Sequence, residues 1–308
     1  MKGDGGSDDV FNLSGTMAAS AIAGMCARVP CHPIDTVKAR LQVGVGYSRR
    51  GFFSVLGATA RMEGLRGLYR GFGVVFLGSA PAACMYFTTY ELCKVGLPRL
   101  GMVKADGAVN HLFSGLIAEI IACILYVPID VLKERMQVQP LSSKGKYPYR
   151  NGAHAANTVL RTEGIVGFYR AYGATIMSFG PFSALYFTFY EELKSRMSTR
   201  VSAGANPPFL YLTMCGAAAG AGAAFFSNPL DLVKLRMQVQ RSSAVARVTS
   251  GDALREFGYR NMLDGITKVV RNEGLGSLFK GAGARMAFAA PSTAISMGCY
   301  EYFKSVFL

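Results

Sequence analysis

The chain has 308 residues, enough for two soluble domains or one polytopic membrane domain. Hydrophobic residues make up 51% and charged residues only 17%, while 33 Lys and Arg against 19 Asp and Glu leave a net charge of +14. Apolar and basic together predict a membrane protein with positive loops on one side, and exclude a long disordered chain and a soluble nucleic-acid binder. Seven Cys in a chain this long do not make a disulfide framework. Three scattered His (His32, His111, His154) argue against a histidine-built zinc site. No HExxH, Walker A or GxSxG run is present. No catalytic residue, metal ligand set or cofactor is therefore expected, and the chain is not read as an enzyme. Met1 to Asp9 is short and acidic, unlike a secretory signal or an Arg-rich presequence.

In chain order, three copies of one pattern appear. The first span, residues 12–42, runs into Pro33-Ile34-Asp35-Thr36-Val37-Lys38-Ala39-Arg40-Leu41-Gln42. A short segment of mixed polarity, Phe52–Arg61, suits a helix lying at the membrane surface. Glu63-Gly64 and Tyr69-Arg70-Gly71 follow, then a second span, 72–95, with Pro81 inside it and Tyr90-Glu91-Leu92-Cys93-Lys94 at its end. The second copy has a span at 109–138 with Pro128-Ile129-Asp130-Val131-Leu132-Lys133-Glu134-Arg135-Met136-Gln137. It continues through Glu163-Gly164 and Tyr169-Arg170-Ala171 to a span at 172–196 with Pro181 and Tyr190-Glu191-Glu192-Leu193-Lys194. The third has a span at 211–240 with Pro229-Leu230-Asp231-Leu232-Val233-Lys234-Leu235-Arg236-Met237-Gln238 and a surface segment Asn261–Arg271. Glu273-Gly274 and Phe279-Lys280-Gly281 lead into a span at 282–306 with Pro291 and Tyr300-Glu301-Tyr302-Phe303-Lys304. Repeats at 1–100, 101–200 and 201–308 thus form one integrated domain of six membrane helices. Lipid tolerates no unsatisfied backbone, so an all-α bundle with pseudo-threefold symmetry is expected.

Each Asp and Lys of the first motif lie three apart, on one helical face, just after a Pro that kinks the helix. Three kinked helices around an axis would bring the charges into a ring. Buried charges at membrane depth need such partners.

With both motifs repeated three times, the sequence resembles the mitochondrial carrier family over about residues 12–306. The resemblance implies an inner-membrane, monomeric solute carrier that works by alternating access. It implies a matrix gate of Asp35 with Lys133, Asp130 with Lys234 and Asp231 with Lys38, braced by Gln42, Gln137 and Gln238. A cytoplasmic gate would pair Glu91 with Lys194, Glu191 with Lys304 and Glu301 with Lys94, braced by Tyr90, Tyr190 and Tyr300. Arg70-Gly71 and Lys280-Gly281 fit the family's cardiolipin motif, which Ala171 breaks in repeat two.

The family reads its solute midway along the even helices, at Gly78-Ser79, Ser178-Phe179 and Phe288-Ala289, none of them charged. Arg28, Glu119 and Arg285 are further intramembrane charges and add to the expected solute site, which suits an anionic or zwitterionic metabolite. The run Pro291-Ser292-Thr293-Ala294-Ile295-Ser296 is similar to mitoferrin, but Arg28 stands where an iron carrier has His. Gly78-Ser79 with Pro81-Ala82-Ala83 is similar to S-adenosylmethionine carriers, without their acidic first-helix residue and fourth-helix Arg. An uncoupling or channel-like role is the remaining alternative.

Overall fold

The structure, a computed structural model, describes residues 5–44, 51–102, 107–139, 149–198, 209–240 and 257–307. The variable stretches between motifs fall largely outside these residues. So do the side chains of Tyr300, Glu301 and Lys304, although their backbone is helical.

Among the described residues the fold is all helical. The first repeat contains α1 (Gly5–Val43), α2 (Phe52–Leu68) and α3 (Phe72–Arg99). The second contains α4 (Ala108–Val138), α5 (Gly152–Glu163) and α6 (Tyr172–Ser198). The third contains α7 (Phe209–Phe226), α8 (Asn228–Val239), α9 (Met262–Glu273) and α10 (Ala282–Phe307). Short 3-10 turns at Ile165–Tyr169 and Leu275–Phe279 lead into α6 and α10. About 20 residues span a bilayer, and α1, α3, α4, α6 and α10 have 39, 28, 31, 27 and 26 residues.

The pattern of burial is that of a protein in lipid. The windows of α3 and α4 that are apolar enough to cross a membrane are only 17% and 28% buried. Phe76, Leu77, Leu112, Ile124 and Met214 lie open on the outer surface, where hydrocarbon rather than water would cover them. Inside, small residues such as Ala118, Ala122, Ala219 and Ala223 are fully buried and let the helices approach.

The third odd helix treats its proline differently from the first two. Pro33 and Pro128 sit inside continuous helices, whereas in repeat three the helix breaks at Ser227 and α8 starts afresh with Pro229 in its first turn. The two pieces meet at 68°. Proline supplies no N–H and crowds the preceding turn, and the freed groups at Ser227 find other partners. Ser227 Oγ donates to Ala223 O, and Arg285 Nη1 donates to Ala224 O at 3.0 Å and to Ser227 Oγ at 2.9 Å.

The even helices pack on the odd helix that follows: α3 on α4, α6 on α7, and α10 on both α7 and α1. The last helix therefore returns to the first and the ring closes. At their C-terminal ends α1, α4 and α8 also meet one another. There Ala39, Val43, Val138, Leu235 and Val239 form an apolar plug.

Candidate functional site

Immediately above that plug lies a ring of charge. Lys38 Nζ is 2.8 Å from Asp231, Lys234 Nζ is 3.4 Å from Asp130, and Lys133 Nζ is in ionic contact with Asp35. Each pair joins two repeats, so the three pairs tie α1, α4 and α8 head to tail. The proline bend and the three-residue spacing aim both side chains of each helix at the axis. Taking such charges out of water is expensive, and only partners within contact distance offset it.

The three pairs are not equivalent. Asp231 receives a second cation, Arg285, whose Nε is 3.3 Å away and whose guanidinium lies 5.5 Å from the centre of the Phe182 ring. Gln42 donates to Asp231 at 3.3 Å and to Asn228 at 3.2 Å, while Gln137 donates to Asp35 at 3.4 Å and to Thr36 at 3.2 Å. Gln238, the third of the set, has a buried amide nitrogen with no hydrogen-bond partner. The Asp130–Lys234 pair therefore lacks both the amide contact and a second cation, and it is the most exposed, at 31% and 19% of its side chains.

A second ring, for which the sequence analysis assigned no role, supports the first. Arg40, Arg135 and Arg236 form two-pronged ion pairs with Glu63, Glu163 and Glu273 of their own repeats, with shortest contacts of 2.5, 2.6 and 2.6 Å. Each Arg also donates through Nε, at 3.0 Å, to a backbone carbonyl of the next repeat: Gln137, Gln238 and Gln42 in turn. Rigid guanidinium forks suit this double task. The signal was in the sequence, since an Arg and a Glu-Gly recur in every copy. Burial alone would raise the Glu273 carboxyl, but hydrogen bonds from Arg236 and Lys280 outweigh it and bring it down to about 2.

A cavity of about 380 Å³ opens over the ring. Of the residues expected at the solute, Arg28 and Phe288 line it. Arg28 is exposed there and forms no ion pair among the described residues. Glu119 accepts from Cys123 Sγ at 3.6 Å on its own helix. Ser79 and Ser178 turn their hydroxyls onto the carbonyls of Val75 and Thr175. Phe179 is half-buried, and Ala289 packs towards Gly220 of α7. Gly78 packs on Ile129 and lines a different space, and Arg285 is engaged by Asp231 below the cavity. All six Asp and Lys residues of the ring, with Glu134 and His32, share the cavity wall with them.

The opposite end of the bundle is arranged differently. Glu91 contacts Lys94 on its own helix at 3.8 Å rather than Lys194. Lys194 lies 6.0 Å over the ring of Tyr190, also on its own helix. Tyr90 is hydrogen-bonded to His111 Nδ1 at 2.8 Å, and Tyr190 stacks on Tyr186. Glu191 is exposed. The pairings expected through Tyr300, Glu301 and Lys304 lie outside the described side chains.

Two turns before the even helices require glycine. Gly71 and Gly281 have φ of 82° and 77°, a left-handed conformation that suits a residue without Cβ. Ala171 is fully buried, and no non-glycine residue among those described has a positive φ, so the turn of repeat two is built without that conformation. Gly71, Gly78, Leu132, Asn151 and Gly152 line a crevice of about 710 Å³ where the N-termini of α3 and α5 converge. Arg70 donates to Tyr149 O at 3.1 Å, and Lys280 bonds Glu273 at 2.8 Å.

Comparison with known proteins agrees with this architecture. The pattern of the family described as "Mitochondrial carrier protein" matches residues 10–100, 104–201 and 205–308. "Mitochondrial substrate carrier family protein E" of Dictyostelium discoideum is 34% identical over 93% of this chain and 94% of its own. "Mitochondrial S-adenosylmethionine carrier protein" of Mus musculus is 31% identical over 97% of each chain. "Mitoferrin" of Dictyostelium discoideum is 30% identical over 94% of this chain and 93% of its own.

Proposed function

Because this chain belongs to the mitochondrial carrier family, whose members are transporters, and is a multi-pass protein of the mitochondrial inner membrane, we propose that it moves a small anionic or zwitterionic organic metabolite by alternating access. S-adenosylmethionine is the first solute to test. The observation that carries the reading is the cavity floored by three inter-repeat ion pairs, with Arg28, which forms no ion pair among the described residues, on its wall. On this reading the Asp–Lys ring is the matrix gate, closed here, and the cavity faces the cytoplasmic side. Glu91 and Lys194, each held within its own helix, then belong to the open cytoplasmic gate. Opening one gate costs ionic contacts that closing the other regains, and a bound solute needs only to supply the difference.

Several features support the organic solute. Arg28 offers a planar, always charged fork, the geometry that suits a carboxylate. Relatives named for S-adenosylmethionine transport cover nearly the whole chain. Fe²⁺ enters the same screen because the mitoferrin likeness is of similar strength, but no group of three His, Cys, Asp or Glu side chains that could hold a metal ion occurs among the described residues. The crevice at Gly71 and the start of α5 suits a lipid phosphate such as that of cardiolipin, because helix N-termini present free N–H groups to anions.

The test is counter-exchange by the full-length chain in proteoliposomes, with S-adenosylmethionine, nucleotides, amino acids, carboxylates and Fe²⁺ as solutes. Saturable exchange of one organic class is the expected result. An ohmic current that needs no solute would replace the carrier reading with a channel. Arg28→Ala is expected to lower apparent affinity by about tenfold, the effect of 1.4 kcal/mol, with the melting temperature kept. Unchanged uptake would remove Arg28 from the solute site.

A further inference from the structure

The floor of the cavity holds one acidic residue that the threefold pattern does not call for. Between the Lys and the Arg of the motif, repeats one and three carry Ala39 and Leu235, both buried in the apolar plug. Repeat two carries Glu134 at the same place. Glu134 is only 6% exposed and lines the cavity. Its Oε1 accepts a hydrogen bond from Lys133 Nζ at 3.0 Å, but that ammonium group is shared with Asp35. Its Oε2 is buried and has no hydrogen-bond partner.

A carboxylate oxygen held away from water without a donor is costly, and the cost is relieved when the oxygen binds a proton or a cation. The lysines that face it are already engaged. From its own helix Glu134 is faced by Lys133 and Asp130, from α1 by Asp35 and Lys38, and from α8 by Lys234, while Arg28 and His32 of α1 and Asp231 of α8 line the same cavity. Each of these lysines is already in contact with an aspartate. Helix α3 presents Val75 to the cavity, and α10 presents Phe288, Ser292 and Ser296, all uncharged. Arg285 of α10 is engaged by Asp231, Ala224 and Ser227.

We propose that Glu134 is a proton-binding site and that this carrier moves a proton together with its solute. The inference rests on the alternating-access reading above. In the state with the Asp–Lys ring closed, the Glu134 carboxylate, which lines the cavity, accepts a proton from a hydronium ion there. This forms a neutral carboxyl group and leaves a water molecule, and Lys133 is left to Asp35 alone. When the ring opens, Glu134 is carried to the other face with α4 and returns the proton to water there. The direction of net movement follows the pH difference, so an acidic cavity side drives uptake.

Two measurements test this on the full-length chain in liposomes. The first needs no solute: infrared spectra of wild type and Glu134→Gln are compared as pH is varied. A protonated-carboxyl band that titrates in wild type and is missing from Glu134→Gln supports the proposal. The same band in both, or in neither, overturns it. Melting temperatures of the two proteins, within a few degrees, establish that the variant is folded. The second uses S-adenosylmethionine uptake with and without an acidic exterior. A several-fold acceleration in wild type and a ratio near one in Glu134→Gln is expected, and equal ratios in the two proteins overturn proton coupling by this residue. Absence of S-adenosylmethionine uptake by either protein would dismiss that solute alone, with the carboxyl band still deciding the proton site.

Discussion

At the scale of single residues, the motif arginines are the most committed side chains in the protein. Arg236 is 1% exposed and holds Glu273, Tyr259 and the Gln42 carbonyl at once. Removing one partner of such a pair strands the other charge, so Glu273→Ala is expected to cost about 3 kcal/mol, read as a lower melting temperature in detergent. The effect has a pH signature. The Glu273 carboxyl lies at about 2 in the folded protein, against about 4.3 in an unfolded chain. A carboxyl depressed on folding stabilises the fold above its unfolded value, and that contribution fades as pH falls towards its folded value. The gap in melting temperature between wild type and Glu273→Ala should therefore be full at neutral pH and shrink between about pH 4.5 and pH 2. A gap that stays constant across that range would mean that Glu273 contributes volume rather than charge.

At the scale of elements, the surface helices end alike. Gly64, Gly164 and Gly274 follow the motif glutamates, with φ of 67°, 67° and 84°. Gly164 and Gly274 cap their helices by donating to Leu160 and Val270 carbonyls, each at 3.1 Å. With ψ of −166° and 163°, Gly164 and Gly274 lie in a region that only glycine adopts readily, where an L-residue is strained by roughly 1–3 kcal/mol, so Gly164→Ala and Gly274→Ala should each lower stability by that amount in thermal melts. Gly51→Ala, at an extended position with open space around it, should be neutral. These glycines, the prolines and the motif charges were legible in the sequence because they recur three times, and with them the helical repeat architecture. What recurs once was not. The break at Ser227 has no counterpart at the level of Pro33 or Pro128. The groups that it frees are satisfied by Arg285, more than 50 residues away in sequence. Arg285 itself reads as a solute ligand from its membrane depth, but the fold brings it to Asp231. Glu134 passes unnoticed inside a motif whose consensus ignores its position. The serines of the even helices could be placed only once their hydroxyls were seen to bond their own backbone.

At the scale of the whole molecule, the threefold ring is mechanically uneven, and its unevenness predicts which ion pair controls opening. Asp231 is held by Lys38, Arg285 and Gln42, whereas Asp130 has Lys234 alone within ion-pair distance among the described residues. If the ring is the matrix gate, Asp231→Lys places a third cation beside Lys38 and Arg285 and should abolish exchange. Asp130→Lys should also impair exchange, because Lys234 loses its partner. The charge-swapped pairs then separate the two sites. Asp130→Lys with Lys234→Asp rebuilds an isolated ion pair of opposite polarity and should recover a substantial part of wild-type exchange. Asp231→Lys with Lys38→Asp rebuilds one contact, but leaves Arg285 facing a lysine, and should recover less, by about tenfold for each 1.4 kcal/mol of residual repulsion. Adding Arg285→Ala to the second swap removes that repulsion and should raise its activity, although the same change in wild type takes away the donor that satisfies the broken helix at Ala224. Counter-exchange rates for the singles, the swaps and the triple, each normalised to folded protein, give the comparison. Full exchange by Asp231→Lys alone, or equal recovery by the two swaps, would show that the ring does not govern opening through these unequal contacts.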